Sequence, residues 1–259
     1  MRTRTFGLDK DTTAFANRVY AGSDKKITGT PLKQLNKFVV GIKRLGLWNS
    51  MVAWPMRSIH NAGTGSTVYS LGGLGVYNGT MVNSPVWGLN GISFASGSSH
   101  KITTALSHTT DQVFVLTTCI PNYISAQYAL YGAETPTRKF STWMDGAASI
   151  RLYSFGTTFN KSTANTAITN NTPNTIMAGS RQNEEYVGIN STFAQSFASQ
   201  LLSGSATYGI GYRTFGAGDL FWNGMISFNY FSNVFIQTSS ALTIKNLYRQ
   251  TIGQNLQLP

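Results

Sequence analysis

The apolar residues near the start of the chain recur at spacings of three and four, which is the period of an amphipathic helix. The strongest run begins at Thr30-Pro31, where a capping residue precedes a proline at the first helical position, and it ends at Gly46. Its apolar stripe has six members: Leu32, Leu35, Phe38, Val39, Ile42 and Leu45. A helix with such a stripe has to bury it, so we expect it to pack against a neighbouring sheet.

A shorter helix is predicted just before this one, over residues 11–20. Thr12 or Thr13 is available as its N-cap, and Phe15, Val19 and Tyr20 lie on one side of it. Gly22 is expected to end the helix, because glycine readily adopts the left-handed conformation that follows a helix.

From about residue 60 the pattern changes to that of β-strands. Residues 112–120 are almost all β-branched or aromatic, which predicts a strand buried on both faces. Asp145-Gly146 lies between two strand-like arms within residues 140–153 and predicts a hairpin with a type I′ turn. Further strands are predicted at three places: residues 175–178, 208–215 and 225–235. Many short strands with polar turns are typical of a β-sandwich, and residues 239–251 predict a short closing helix.

The composition supports a β-rich protein and removes several other classes. Charged residues make up 11% of the chain, against about 25% in an ordinary soluble domain. No apolar run approaches the roughly 18 residues that a membrane-spanning helix needs, so no membrane insertion is expected. The first residues lack the apolar segment of a secretory signal peptide. The single cysteine, Cys119, lies in an apolar run and is expected to be buried.

The charge is concentrated near the N-terminus. Residues 1–59 carry 11 Lys and Arg against 3 Asp, a net charge of +8, and residues 60–259 carry 9 basic and 6 acidic groups, a net charge of +3. We therefore predict two parts, a basic helical docking segment over residues 1–59 and a β-sandwich over residues 60–259. Four cations of the main helix are the candidate docking residues: Lys33, Lys37, Lys43 and Arg44.

This basic segment is compatible with three kinds of partner. An acidic protein surface is favoured, because the charges are spread over helices that also carry apolar stripes. An anionic cell-surface glycan is the next alternative. Nucleic acid is the least expected of the three, since the segment has no compact arginine-rich tract and no aromatic stacking platform.

Three segments resemble known families. Residues 219–233, with the helical end that finishes in Leu247-Tyr248, resemble the last strands and terminal helix of concanavalin A-like (laminin G-like) domains. The segment Trp143-Met144-Asp145-Gly146 is similar to the central hairpin of that family. Residues 41–51, GIKRLGLWNSM, resemble the helical lead-in of structural proteins of tailed bacteriophages.

The resemblance implies a concanavalin A-like antiparallel sandwich, or jelly roll, with a helical N-terminal segment. It also implies a non-enzymatic structural protein located in the virion and displayed as capsid decoration, head fibre or tail-associated domain. The implied partners are other virion proteins of the capsid, collar or tail, and a homo-oligomer is expected, with a trimer as one form. The alternative is a carbohydrate-binding receptor-recognition module, an adhesin, that attaches the virion to host surface glycan.

No residue pattern indicates catalysis, a metal site or a cofactor. The glucanases of the superfamily need several carboxylates on one strand face, and this sequence has no such run. Glu184 and Glu185 are adjacent, so they would point to opposite faces of a strand. The three histidines are His60, His100 and His108, and none has metal-ligand spacing. A calcium ion at Asp219, Asn223 or Asn233 is imaginable from the family but is not expected.

Glycan binding requires aromatic platforms beside hydrogen-bonding groups. Six aromatic residues in or near Asn-, Ser- and Gly-rich stretches are the candidates: Trp87, Tyr123, Tyr128, Tyr131, Tyr186 and Tyr212. For any one of them, a place in the sandwich core or in a protein interface is the competing interpretation.

Overall fold

The computed structural model describes residues 7–122, 127–135, 139–145, 149–155, 159–164, 168–196, 204–213 and 219–259. Within these ranges two antiparallel sheets pack face to face, and a layer of three helices covers the outer face of one of them. We call the covered sheet the helix-side sheet and the other the opposite sheet. The predicted fold class, a mainly β antiparallel sandwich with N-terminal helices and a short C-terminal helix, is confirmed.

The layer consists of α1 (Lys10–Ser23), α2 (Gly29–Arg44) and α3 (Thr238–Gln250). Asp9 caps α1 by accepting a hydrogen bond from the N–H of Asp11 at 2.9 Å, so the predicted cap at Thr12 or Thr13 is wrong. A carboxylate suits this position because it also meets the positive end of the helix dipole.

The second helix begins at Gly29, one residue before Thr30, which was predicted to be its cap. α2 starts at Gly29, so Pro31 lies at its third position and not at its first. The proline is tolerated there because the first four N–H groups of a helix have no partner inside the helix.

The apolar stripe of α2 is confirmed for its central members. Leu35, Phe38 and Ile42 are fully buried against the helix-side sheet. The ring of Phe38 meets that of Phe228 edge-on, with centroids 5.5 Å apart. Leu45 is 40% exposed, because the helix ends at Arg44.

The helix-side sheet has the strand order β14-β13-β12-β7-β18-β5-β4, and β1 pairs with the remaining length of β18. Its eight strands are β1 (Met51–Pro55), β4 (Val86–Trp87), β5 (Ile92–Phe94), β7 (Val113–Pro121), β12 (Asn174–Arg181), β13 (Glu184–Ile189), β14 (Thr192–Ser196) and β18 (Gly224–Ser232). The predicted strand at residues 112–120 is confirmed as β7, which lies in the middle of the sheet and is buried on both faces.

The opposite sheet has the order β11-β10-β9-β8-β15-β6-β3-β2. Its strands are β2 (Thr67–Val68), β3 (Gly79–Val82), β6 (Lys101–His108), β8 (Tyr128–Glu134), β9 (Lys139–Asp145), β10 (Ser149–Phe155), β11 (Phe159–Ala164) and β15 (Ala206–Ile210). A separate ribbon pairs β16 (Tyr212–Arg213) with β17 (Leu220–Phe221). Single turns of 3₁₀ helix lie at Trp48–Ser50 and Ser96–Ser98.

The predicted hairpin exists, formed by β9 and β10. β9 pairs with β10 so that Asp145 faces Ser149 and Met144 faces Ile150. Asp145 is therefore the last strand residue and not the first residue of a two-residue turn. Gly146, where the type I′ turn was predicted, lies outside the described residues.

Two hydrophobic cores share the helix-side sheet. Alternate residues of β7 enter the core between the sheets, as Val115 and Cys119 do, or the core beneath the helices, as Phe114 and Leu116 do. Cys119 is fully buried as predicted, and desolvation raises the pKa of its thiol. Both cores depend on the same strand, so the helices are built into the sandwich.

The predicted boundary between a docking segment and the sandwich, at residue 59, comes after the first strand of the sandwich. Residues 51–55 form β1, which pairs with β18 from Met51 opposite Ser232 to Pro55 opposite Phe228. The sheet therefore includes the last part of the segment that was predicted to be a separate docking element.

A polar cluster fixes the C-terminal turn beneath the helices. The Arg57 guanidinium is buried and donates to the carbonyls of Leu89 (3.1 Å), Ile252 (2.8 Å) and Gln254 (2.9 Å). The Gln34 amide joins this region by donating to the Gln254 side chain at 2.8 Å. α2 and the residues after α3 are thereby tied together.

None of the helices in the described ranges combines the length and the apolar character that a membrane crossing requires.

Candidate functional site

Three of the six aromatic residues predicted for glycan binding belong to the core. Tyr131 and Tyr186 are fully buried, and Tyr128 is 9% exposed. The Tyr131 hydroxyl accepts a hydrogen bond from Thr142, and the Tyr186 hydroxyl donates one to the carbonyl of Ile236. Burial raises the pKa of both phenols. Because these rings have no free face for a sugar, their prediction as platform residues is wrong.

Two other candidates are half-buried. The Trp87 indole N–H donates to the carbonyl of Gly65 at 2.9 Å, and Lys101 Nζ lies 4.9 Å from the centroid of the Tyr212 ring. Burial, together with the charge of Asp219, raises the pKa of Tyr212. The sixth candidate, Tyr123, lies outside the described residues.

Three of the four predicted docking residues meet in one groove. Lys33, Lys37 and Arg44 are exposed on α2, and they line a groove of about 740 Å³ between α2 and α3. We call it the α2–α3 groove, and it has twelve lining residues: Gly7, Leu8, Asp9, Lys33, Asn36, Lys37, Val40, Gly41, Arg44, Leu247, Gln250 and Thr251. Their positions, four and seven residues apart, place the three cations on one side of the helix.

The floor of the α2–α3 groove is apolar and fixed. A Cβ added to Gly41 would lie 2.6 Å from both methyl carbons of Leu247, so this glycine permits the close approach of α2 and α3. The N–H of Asp9 donates to the side chain of Asn36 at 2.7 Å, which holds the start of the described chain beside α2. Leu8, half exposed, completes the apolar part of the groove.

The cations of the α2–α3 groove are available to a partner. Among the described residues, no carboxylate forms an ion pair with Lys33, Lys37 or Arg44. Three unpaired cations above an apolar floor favour a ligand that is both acidic and partly apolar.

Lys43 is placed differently from the other docking candidates. Its Nζ lies 2.7 Å from Asp9 Oδ1 and 2.6 Å from Asp11 Oδ2, and it is 5.2 Å from the centroid of the Trp48 ring. Desolvation alone would lower the Lys43 pKa, but the two carboxylates outweigh it and the pKa is raised. Its prediction as a docking residue is corrected: Lys43 ties α2 to the start of α1.

A second groove lies beside α1 and Trp48 and has a volume of about 660 Å³. We call it the α1–Trp48 groove, and it has eleven lining residues: Lys10, Asp11, Arg18, Lys43, Gly46, Trp48, Asn49, Gly72, Gly73, Gly75 and Val76. Arg18 Nη2 donates to the carbonyl of Ser70 at 2.6 Å, and the Gly73 N–H donates to the Trp48 carbonyl at 3.0 Å. Burial lowers the pKa of Arg18, which stays charged at any ordinary pH.

Glu184 and Glu185 lie apart from both grooves. Glu184 pairs with Arg181 at 2.8 Å, whereas its neighbour Glu185 is fully buried. Across the described ranges, no group of three or more His, Cys, Asp or Glu side chains is arranged to hold a metal ion.

The histidines have structural surroundings. His60 Nε2 donates to the side-chain Oε1 of Gln34 at 2.8 Å. Nε2 is the donor because the side-chain nitrogen of Gln34 already donates to Gln254, which leaves Oε1 as the acceptor. His108 packs edge-on against Phe231, with centroids 5.5 Å apart. His100 Nδ1 accepts a hydrogen bond from the N–H of Ala95 at 3.1 Å.

The α1–Trp48 groove was not predicted. It joins Trp48 to the glycines at residues 72–75 and to Arg18 of α1. No short motif could have joined them, because Arg18, Trp48 and Gly73 come from three separate segments.

No protein-family model matches the chain, and no curated protein matches it at the sequence level. Among solved structures, Trypanosoma rangeli sialidase in complex with a difluoro-KDN aligns with a TM-score of 0.57 at 12% identity, over 79% of this chain and 33% of that chain. A mutant of this sialidase that displays trans-sialidase activity aligns with a TM-score of 0.54 at 11% identity, over 86% and 40%. A Ruminococcus gnavus sialidase module, CBM40 bound to α2,3-sialyllactose, aligns with a TM-score of 0.46 at 10% identity, over 53% and 83%.

The chain thus spans between a third and two-fifths of the length of the sialidase chains. At these identities the likeness concerns the fold alone. The chain is an antiparallel β-sandwich with a helical layer on one sheet.

Proposed function

We propose that this chain is a non-enzymatic attachment protein, a lectin-like sandwich held on a larger assembly through its α2–α3 groove. The observation that carries the proposal is the row of Lys33, Lys37 and Arg44, exposed on one helix above an apolar floor. The assembly that agrees with the resemblance of residues 41–51 is a tailed-phage virion. There the chain would be a capsid decoration, a head fibre or a tail-associated domain, in contact with capsid, collar or tail proteins.

The surroundings of the acidic side chains support a binding role over a catalytic one. Hydrolysis of a glycosidic bond needs two carboxyl groups on either side of one substrate bond. Glu184 is paired with Arg181, Glu185 is buried in the sheet, and Asp9 and Asp11 are paired with Lys43.

Many copies on one particle would also fit a homo-oligomer, of which a trimer is one form.

The test is co-sedimentation of the purified chain with particles assembled from the structural proteins of the same virus. The double variant Lys33→Glu/Lys37→Glu should reduce retention at least tenfold, because it places two negative charges where the acidic partner lies. Lys25→Glu/Lys26→Glu makes the same change of charge in the exposed loop between α1 and α2 and is the matched control. The control should stay within twofold of the wild type.

Equal losses in the two double variants would contradict the proposal, since attraction by net charge alone would explain them. Unchanged retention of Lys33→Glu/Lys37→Glu would contradict it as well. Raising the ionic strength from about 0.05 to about 0.5 M should weaken retention of the wild type, because the screening length falls from roughly 14 to roughly 4 Å.

A second candidate function is recognition of host surface glycan by a receptor-binding module. The α1–Trp48 groove favours it, because an indole, an exposed Asn49 amide and the cations Lys10 and Arg18 line one concave surface. Aromatic rings and amides of this kind bind the apolar faces and hydroxyl groups of sugars. This surface differs from the aromatic residues that the sequence pointed to.

A further inference from the structure

The floor of the α1–Trp48 groove is bare main chain between two side chains of different chemistry. At one end Arg18 donates to the carbonyl of Ser70, and at the other Gly73 donates to the carbonyl of Trp48. Ser70 and Gly73 are three residues apart, so they are separated by at most about 10 Å. The backbone positions that anchor Arg18 and Trp48 are thus within about the length of one disaccharide.

The glycines keep this floor free of side chains. A Cβ on Gly73 would lie 2.6 Å from the Trp48 ring, and one on Gly72 would lie 2.2 Å from the carbonyl oxygen of Met51. Neither position can accept a larger residue without moving its neighbours. Between Arg18 and Trp48 the groove is therefore lined by glycine main chain.

The charges of the groove are divided between its two ends. Near Trp48, the ammonium of Lys43 is held by Asp9 and Asp11, so this end has no excess of positive charge. In the described part of the chain, Arg18 has no carboxylate partner, and its Nη2 donates to the neutral carbonyl of Ser70. An anion would therefore bind at the Arg18 end, and a neutral group at the Trp48 end.

We propose that the α1–Trp48 groove binds an acidic saccharide, with the carboxylate of one sugar on Arg18 and the apolar face of its neighbour on Trp48. The planar guanidinium suits a carboxylate, and the indole with the Asn49 amide suits the uncharged sugar. Nucleic acid fits less well, because Asp9 and Asp11 lie where a continuous phosphate backbone would need cations. The inference rests on the glycan-recognition candidate function and does not require attachment through the α2–α3 groove.

The test is isothermal titration calorimetry of the full chain with two disaccharides. One contains glucuronic acid linked to a neutral hexose, and the other is its carboxyl-reduced form, in which the acid has become glucose. The acidic disaccharide should bind at least tenfold more tightly, since a hydrogen bond to a charged group is stronger than one between neutral groups. Arg18→Gln should bring its affinity down to that of the reduced form.

Trp48→Ala should weaken both disaccharides at least tenfold, whereas Lys33→Gln in the α2–α3 groove should change neither by more than twofold. Thermal melting reports whether each variant is folded, and Arg18→Lys retains the charge if Arg18→Gln is unstable. Lysine should keep the preference for the acid at lower affinity, because it cannot form the two-point contact.

Equal affinity of the wild type for the two disaccharides would overturn the inference and leave glycan recognition in place. Binding of neither would overturn both. An unchanged affinity of folded Arg18→Gln for the acidic disaccharide would also overturn it, because the carboxylate would then lie elsewhere.

Discussion

The two grooves of the helical layer both contain Lys and Arg, but they differ in how many of those charges already have partners. In the α1–Trp48 groove, Lys43 is held by two aspartates and lies over an indole. In the α2–α3 groove, Lys33, Lys37 and Arg44 are exposed and unpaired among the described residues. Adjacent residues of one helix, Lys43 and Arg44, therefore have different surroundings. A basic sequence does not by itself identify a docking surface, because a paired cation belongs to the fold.

Both grooves depend on α2 being fixed to the helix-side sheet, and the largest expected effect tests that condition. Phe38→Ala should lower the free energy of unfolding by about 3–5 kcal/mol, because it removes a buried ring that packs on Phe228 and leaves a cavity. Leu45→Ala, at an exposed site of similar apolar character, should cost less than about 1 kcal/mol. Urea denaturation measures both. A loss below about 1 kcal/mol for Phe38→Ala would show that the layer is not anchored as described.

The next largest effect concerns His60, which is buried and hydrogen-bonds to Gln34 of α2. Desolvation, helped by the charge of Arg57, lowers the pKa of His60 to about 3. Below about pH 6.5, His60 therefore binds a proton in the unfolded chain but not in the folded chain. The free energy of unfolding falls as the pH falls. Between pH 7.5 and pH 5 the expected loss from this group is about 2 kcal/mol.

The matched variant for this pH dependence is His60→Gln, which keeps a donor for Gln34 and removes the titration. Urea denaturation across this range should give a flatter profile for the variant than for the wild type. Parallel profiles would mean that the proton is taken up elsewhere in the unfolded chain.

The smallest effect compares the two grooves directly. Lys43→Gln should lower the free energy of unfolding by about 1 kcal/mol, because it removes a partly buried cation from two aspartates. Lys33→Gln should change it by less than about 0.5 kcal/mol, since no carboxylate faces it among the described residues. Equal values would remove the distinction between a structural cation and an available one.

Local periodicity was enough to predict much of the fold. The buried stripe of α2, the central strand β7 and the closing helix α3 each follow from residues close together in sequence. The cap of α1 was misplaced by three or four residues, since Asp9 competes with two threonines and binds the helix N–H groups first. Asp145 was expected in a turn but belongs to β9, because its cross-strand partner is Ser149.

The binding surfaces were only partly predictable, for a physical reason. Lys33, Lys37 and Arg44 could be placed on one side of α2 because their positions are fixed by the 3.6-residue period of the helix. Tyr131 and Tyr186 were misassigned because polar neighbours in sequence do not report which face of a strand is buried. The α1–Trp48 groove joins residues from distant segments, so no local pattern contains it.

We propose that the two grooves act separately, one for attachment and one for a ligand. The most direct test measures particle retention and acidic-disaccharide affinity for the same variant, Lys33→Glu/Lys37→Glu. We expect retention to fall at least tenfold and the disaccharide affinity to stay within twofold of the wild type. Loss of both together, or of the affinity alone, would contradict the separation of the two surfaces.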